Sequence, residues 1–156
     1  MGEAWFYHLT RRSPAETLHT LLPRCLANGW RVAIRSPDEV RLRALDDALW
    51  QGPADGFLPH GLAGGPHDAA QPVLLTTGTA ANGAQVLMIL DGAEAAPEEV
   101  RAHDRTCVIF DGLDGEAVSR ARAQWRALTE AGLPARYWSE ESGKWEQKAT
   151  KNVDPT

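Results

Sequence analysis

Hydrophobic and polar positions along the chain follow two periods, one of strands and one of helices. Glu3-Ala4-Trp5-Phe6-Tyr7-His8-Leu9 is a short aromatic run, which predicts a strand over residues 3–9. Ser13-Pro14-Ala15-Glu16 then reads as a helix start, with a capping serine, proline at the first helical position and glutamate three residues after the cap. Leu18, Leu21, Leu22, Cys25 and Leu26 recur at helical spacing until Asn28-Gly29 ends the run. Residues 30–34 predict a second strand. Ser36-Pro37-Asp38-Glu39 repeats the start signal, and Leu42, Leu45 and Leu49 give that helix a buried stripe.

Beyond residue 72 the pattern resumes. Apolar runs predict strands over residues 73–77 and 85–90, and Asn82-Gly83 between them favours a hairpin, though Gly78-Thr79-Ala80-Ala81 lengthens the connection. Pro97-Glu98-Glu99-Val100 starts a short helix, and residues 106–110 predict another strand. Asp114 can cap a helix carrying Val118, Ala121, Trp125 and Leu128, which ends at Ala131-Gly132. A last strand is expected over residues 135–138. Residues 142–156 are polar and aperiodic, and read as a mobile tail following one domain over residues 1–141. Strands alternating with helices predict a single-domain α/β sandwich, Rossmann-like, with a mainly parallel central sheet and helices on both faces.

The segment between the two halves is unlike a linker. Gly52, Pro53, Gly56, Pro59, Gly61, Gly64, Gly65 and Pro66 predict turns without regular pairing. Trp50, Phe57, Leu58 and Leu62 are too apolar to be left in water, so the loop packs on its own domain or offers these groups to a partner.

At 156 residues, 43% hydrophobic and 24% charged, the composition is that of one globular domain. The longest apolar runs fall far short of the roughly 20 residues of a spanning helix, so no membrane span is expected. Met1-Gly2-Glu3-Ala4-Trp5 has neither a basic n-region nor a small-residue cleavage site, and the cytoplasm is the default location. Cys25 and Cys107 sit in apolar runs and read as buried thiols. A net charge of -5 argues against direct nucleic-acid binding through a broad basic face.

Catalytic signatures are missing. No Gly-x-x-x-x-Gly-Lys-Ser/Thr occurs, and the turn after the first strand, Thr10-Arg11-Arg12-Ser13, has no glycine to bring backbone amides to a phosphate. No Gly-x-Ser-x-Gly elbow is present, and no cofactor is expected. His8, His19, His60, His67 and His103 are scattered without metal-ligand spacing; His60 and His67 share the loop but read as structural or solvated. Asp46-Asp47 and Glu98-Glu99 read as solvated helix faces and first-turn acids.

The last long helix carries more chemistry. Arg122 and Arg126 stand four apart beside Trp125, and the acid at helical spacing is Glu130. Two guanidinium groups one turn apart beside an indole suit an acidic peptide ending in an aromatic carboxylate, because arginine pairs bidentately with carboxylates. The residues alone favour the plainer reading, a solvent-facing basic face with Trp125 in the core.

A family resemblance shifts that balance. Leu45-Asp46-Asp47-Ala48-Leu49-Trp50 followed by Phe57-Leu58-Pro59-His60-Gly61-Leu62-Ala63-Gly64 resembles the loop signature of chi subunits of bacterial DNA polymerase III, accessory proteins of the clamp loader. Trp5-Phe6-Tyr7-His8-Leu9, Gly29-Trp30-Arg31-Val32, and Arg122-Ala123-Gln124-Trp125-Arg126 with Ala131-Gly132 resemble that family's first strand, second strand and last helix, in order. The resemblance implies a non-catalytic, Rossmann-like subunit that binds the acidic, phenylalanine-terminated C-terminal tail of single-stranded DNA-binding protein. Carried over, the site falls on Phe57, Arg122, Trp125 and Arg126, with Gly132 and Leu133 at its margin. Trp125 stands where tyrosine is common in the family, and Arg126 where lysine is frequent. The second implied partner is the psi subunit, where the organism has one, and no motif marks that interface. A Rossmann-like nucleotide-binding enzyme without a recognisable phosphate loop, and an orphan adaptor for another acidic partner such as a helicase-associated factor, remain as alternatives.

Overall fold

The computed structural model describes residues 2–50 and 60–153, with Trp50 described by its backbone alone. Phe57 therefore lies outside the described residues, as does the side chain of Trp50.

Eight strands form one sheet: β1 (Glu3–Leu9), β2 (Val32–Arg35), β3 (Gly61–Leu62), β4 (Val73–Thr76), β5 (Val86–Ile89), β6 (Arg105–Asp111), β7 (Ala135–Ser139) and β8 (Glu146–Lys151). Their spatial order is β3-β4-β2-β5-β6-β1-β7-β8. Every neighbouring pair is parallel except the last, where β8 runs antiparallel to β7. Four helices complete the described chain: α1 (Pro14–Ala27), α2 (Glu39–Trp50), α3 (Pro97–Ala102) and α4 (Gly115–Glu130). This is the expected α/β architecture, and helices do cover both faces.

The central strands are apolar on both sides because both sides are buried. Leu18, Leu22 and Cys25 of α1 and Leu42, Leu45 and Leu49 of α2 pack on Tyr7, Ile34, Leu75, Met88 and Ile109. On the opposite face Val100 of α3 and Ala121 and Leu128 of α4 pack on Ala4, Phe6, Leu87, Val108 and Ala135. Both cysteines are buried and unbonded, as their apolar context predicts. The α1 start is as read: the Ser13 side chain accepts from the Glu16 amide at 3.1 Å, while the Glu16 carboxylate accepts from the Ser13 amide at 3.4 Å.

Several expectations are corrected. Residues 73–90 do not form a hairpin, because β2 inserts between β4 and β5 and pairs in parallel with both. The Asn82 side chain secures that crossover, donating to the carbonyls of Val32 (3.1 Å) and Gln71 (2.8 Å). Ser36 does not cap α2; it is buried and donates to Asp91 at 2.8 Å, and Asp38 accepts from the Val40 amide at 2.9 Å instead. The glycine-rich loop does pair: Gly61–Leu62 lies beside Leu74 and Leu75. The stretch read as an aperiodic tail contains β8, an exposed edge strand whose Glu-Gln-Lys-Ala-Thr-Lys sequence carries no apolar alternation to announce it.

Two acids read as solvated are engaged. Glu99 takes a bidentate hydrogen bond from Arg35, which also donates to the carbonyls of Gly78 (2.8 Å) and Glu94 (3.0 Å). Asp46 lies 3.1 Å from the buried His60, making that histidine structural. No helix among the described residues is long and apolar enough to cross a membrane.

Candidate functional site

Two regions could serve function: the cleft at the carboxyl ends of the strands and the outer face of α4. The cleft, of about 1100 Å³, opens where the chain leaves β1, β5 and β6. There α1 leads from β1 to β2 on one face, and α4 leads from β6 to β7 on the other. Such a switch point is where doubly wound proteins hold nucleotides. Here the chain's own side chains cap both helix heads. At the head of α4 the Asp114 carboxylate accepts from the Glu116 amide at 3.0 Å, taking the place an anion would use. At the head of α1 the Ser13 hydroxyl does the same for Glu16. Asp91, Glu94 and Asp111 add negative charge to the lining and Arg11, Arg12, Arg41 and Arg120 positive charge, with Arg41 paired to Asp91 at 3.3 Å.

The face of α4 is different. Ala121 and Leu128 are buried against the sheet, Val118 and Trp125 are half-buried, and Arg122 and Arg126 are exposed. Trp125 is thus neither free nor core. Its ring stands edge-on to Phe6 of β1 (centroids 5.3 Å apart) and to Tyr137 of β7 (6.0 Å). The Thr129 hydroxyl donates to the Trp125 carbonyl at 2.8 Å. Among the described residues, neither Arg122 nor Arg126 forms an ion pair or a side-chain hydrogen bond, and Glu130 does not neutralise Arg126. Arg120, by contrast, pairs with Glu116 one turn earlier at 3.6 Å.

Gly132 has a structural reason of its own. It adopts φ 87°, a left-handed conformation that favours glycine, just after α4. Its amide donates to Thr129 and that of Leu133 to Leu128, closing the helix with the paired bonds of a Schellman motif. Leu133 is buried in the core and does not line an open surface. The structure therefore brings Arg122, Trp125 and Arg126 onto one face, with Gly132 at its end.

Sequence reasoning missed two neighbours. The Tyr137 hydroxyl lies 2.6 Å from His8 Nδ1, and the His8 ring packs on Phe110 with centroids 5.2 Å apart. Burial raises the Tyr137 phenol pKa, the Arg122 charge opposes that rise and the Glu141 charge adds to it. A Tyr two residues after a core Ala on a strand was the available signal.

Comparison with known proteins follows the same lines. Residues 1–136 match the family model described as DNA polymerase III chi subunit, HolC. The chain is similar to the DNA polymerase III subunit chi of Escherichia coli (strain K12), 50% identical over 78 residues, covering 45% of this chain and 53% of that one. It thus spans about half the length of that relative. It is also similar to a probable DNA polymerase III subunit chi of Rickettsia prowazekii (strain Madrid E), 25% identical over 120 residues and covering 73% of each chain.

Proposed function

Because the chain belongs to the DNA polymerase III chi subunit family, we propose that it is a non-catalytic accessory subunit linking the clamp-loader complex to single-stranded DNA-binding protein. On this reading it works in the cytoplasm and grips the acidic C-terminal tail of that coat protein. The observation that carries the reading is the pair of exposed arginines, free of acidic partners among the described residues, flanking a half-buried tryptophan on one helix.

The chemistry is that of a carboxylate clamp beside an apolar wall. Arg122 takes the terminal carboxylate through its paired N–H groups, and Trp125 supplies the surface for the terminal aromatic ring. Arg126, farther along the helix, meets the tail's upstream acids and acts through encounter rate. Phe57, carried over from the family, is expected to complete the wall, and its replacement by alanine should weaken tail binding with little loss of stability. A psi subunit is the further partner, with no residues of this chain assigned to it. The enzyme alternative is disfavoured by the carboxylate and hydroxyl caps that occupy both helix heads in the cleft.

Anisotropy of a labelled single-stranded oligonucleotide tests the proposal. The protein should leave bare DNA unbound at physiological salt, consistent with a net charge of -5. It should join DNA coated with single-stranded DNA-binding protein, and lose that binding when the coat protein's tail is deleted. Tight binding to bare DNA, or recruitment that survives tail deletion, would sink the adaptor mechanism. A nucleotide titration that shows binding would revive the enzyme alternative.

A further inference from the structure

The family match ends at residue 136, yet the chain beyond it borders the α4 face. In the antiparallel pair of β7 and β8, Ala135 stands opposite Lys151 and Tyr137 opposite Ala149. Residues directly opposed in such a pair share a face of the sheet. Ala135 belongs to the core beneath α4, so Tyr137, Ala149 and Lys151 stand on the α4 side. Asn152 ties the end of β8 to that helix, its amide donating to the Thr129 and Leu133 carbonyls at 3.0 Å each.

Three properties of this border suit a peptide. Trp125 and Tyr137 meet edge to face, so the indole and the phenol form one continuous surface next to Arg122. Lys151 is exposed and has no acidic partner among the described residues, whereas Lys148 is taken by Glu146 at 3.2 Å. Tyr137 and Lys151 sit two strand positions apart along the sheet, roughly 7 Å, which is the advance of two residues in an extended peptide.

We propose that β7 and β8 form the second wall of the acidic-tail site, with the Tyr137 hydroxyl donating to the terminal carboxylate held by Arg122 and Lys151 neutralising an acid upstream of it. His8 is the positioning residue. With a proton on Nδ1 as well as on Nε2, which faces the Glu141 carboxylate at 3.9 Å, it donates to the phenol oxygen 2.6 Å away and leaves the phenol proton for the peptide. The inference rests on the tail reading of α4 given above.

The test uses the full chain and a labelled synthetic peptide, acidic and ending in a free phenylalanine carboxylate. Tyr137→Phe should weaken binding about fivefold to tenfold, somewhat below the scale of a buried hydrogen bond to a charged group because the site is partly exposed. That loss should shrink to about twofold or less with a C-terminally amidated peptide, whose neutral carbonyl is a weaker acceptor than the carboxylate. Lys151→Glu should weaken binding about threefold to tenfold through loss and reversal of an exposed charge, and more at low salt. Arg122→Ala separates the two layers of the argument. If it weakens binding while Tyr137→Phe and Lys151→Glu bind as wild type does, the last strands are no part of the site and the α4 reading stands. If the unaltered protein ignores the peptide, both readings fall together.

Discussion

Trp125→Ala probes both halves of the α4 argument at once, because the indole is packed on one side and offered on the other. Complete burial of an aromatic ring would make its truncation cost about 3–5 kcal/mol. Trp125 is half-buried, so a smaller share applies. Two edge-to-face contacts, with Phe6 at 5.3 Å and Tyr137 at 6.0 Å, contribute about 0.5–1.5 kcal/mol each beyond the buried area. Alanine's better helix propensity returns a few tenths. The sum is a loss of about 2–5 kcal/mol, or about 4–20 °C in midpoint for a domain of this size. Trp125→Phe should keep most of the packing and part of the peptide affinity. Urea unfolding followed by circular dichroism measures the first effect, and peptide anisotropy measures the second. Arg122→Ala is the reference: being exposed and unpaired among the described residues, it should leave the unfolding free energy within about 0.5 kcal/mol of wild type. An unchanged midpoint for Trp125→Ala would show that its ring contacts carry no energy. A lowered midpoint with undiminished peptide binding would make the ring a core residue only, and the apolar wall would have to lie elsewhere.

Three further outcomes are expected. Asn82→Ala should destabilise by about 2–4 kcal/mol in urea titration, since it strips hydrogen bonds from the Val32 and Gln71 carbonyls at a residue only 1% exposed; a loss under 1 kcal/mol would mean that water replaces the amide freely. Glu99→Gln should destabilise at pH 7, by about 2–3 kcal/mol. The Arg35 hydrogen bond lowers the Glu99 pKa in the fold against the opposing effect of burial. The stabilisation is therefore complete above the ordinary glutamate range near pH 4.3 and is lost as pH falls through the depressed folded value. Wild type and variant should converge in acid, and a constant gap down to pH 2 would contradict the linkage. Burial pushes the Cys107 thiol up to about 12, so a disulfide reagent at pH 8 should label it only on unfolding; rapid labelling of the native protein would place that thiol at the surface.

Much of the local structure needed no tertiary information. The capping box at Ser13 and Glu16, the leucine stripes of α1 and α2, and the apolar runs that became β1, β2, β4, β5 and β6 are properties of short stretches of chain. Local hydrogen bonding and burial periodicity decide them whatever the surroundings. The arginine pair beside Trp125 was legible for the same reason, since residues four apart share one face of any α-helix.

Other features depended on partners far away in sequence. Asn82-Gly83 has the chemistry of a hairpin turn, but β2 arrives from residues 32–35 and takes the place between β4 and β5. Ser36 has the chemistry of a cap, but Asp91 claims its hydroxyl from across the sheet, leaving Asp38 to cap α2. Glu99, on α3, looks solvated until Arg35 reaches it from the end of β2. β8 lacks any apolar pattern because an edge strand with both faces wet has no burial to encode, and only the free edge of β7 makes it a strand. The contact of His8 with Tyr137 spans 129 residues. Apart from β3 and β8, sequence alone determined which segments would be helix or strand, and it determined which helix carried the charge. Strand order, and the company kept by each polar side chain, came from non-local pairing, because a hydrogen bond between distant residues leaves no trace in the neighbourhood of either one.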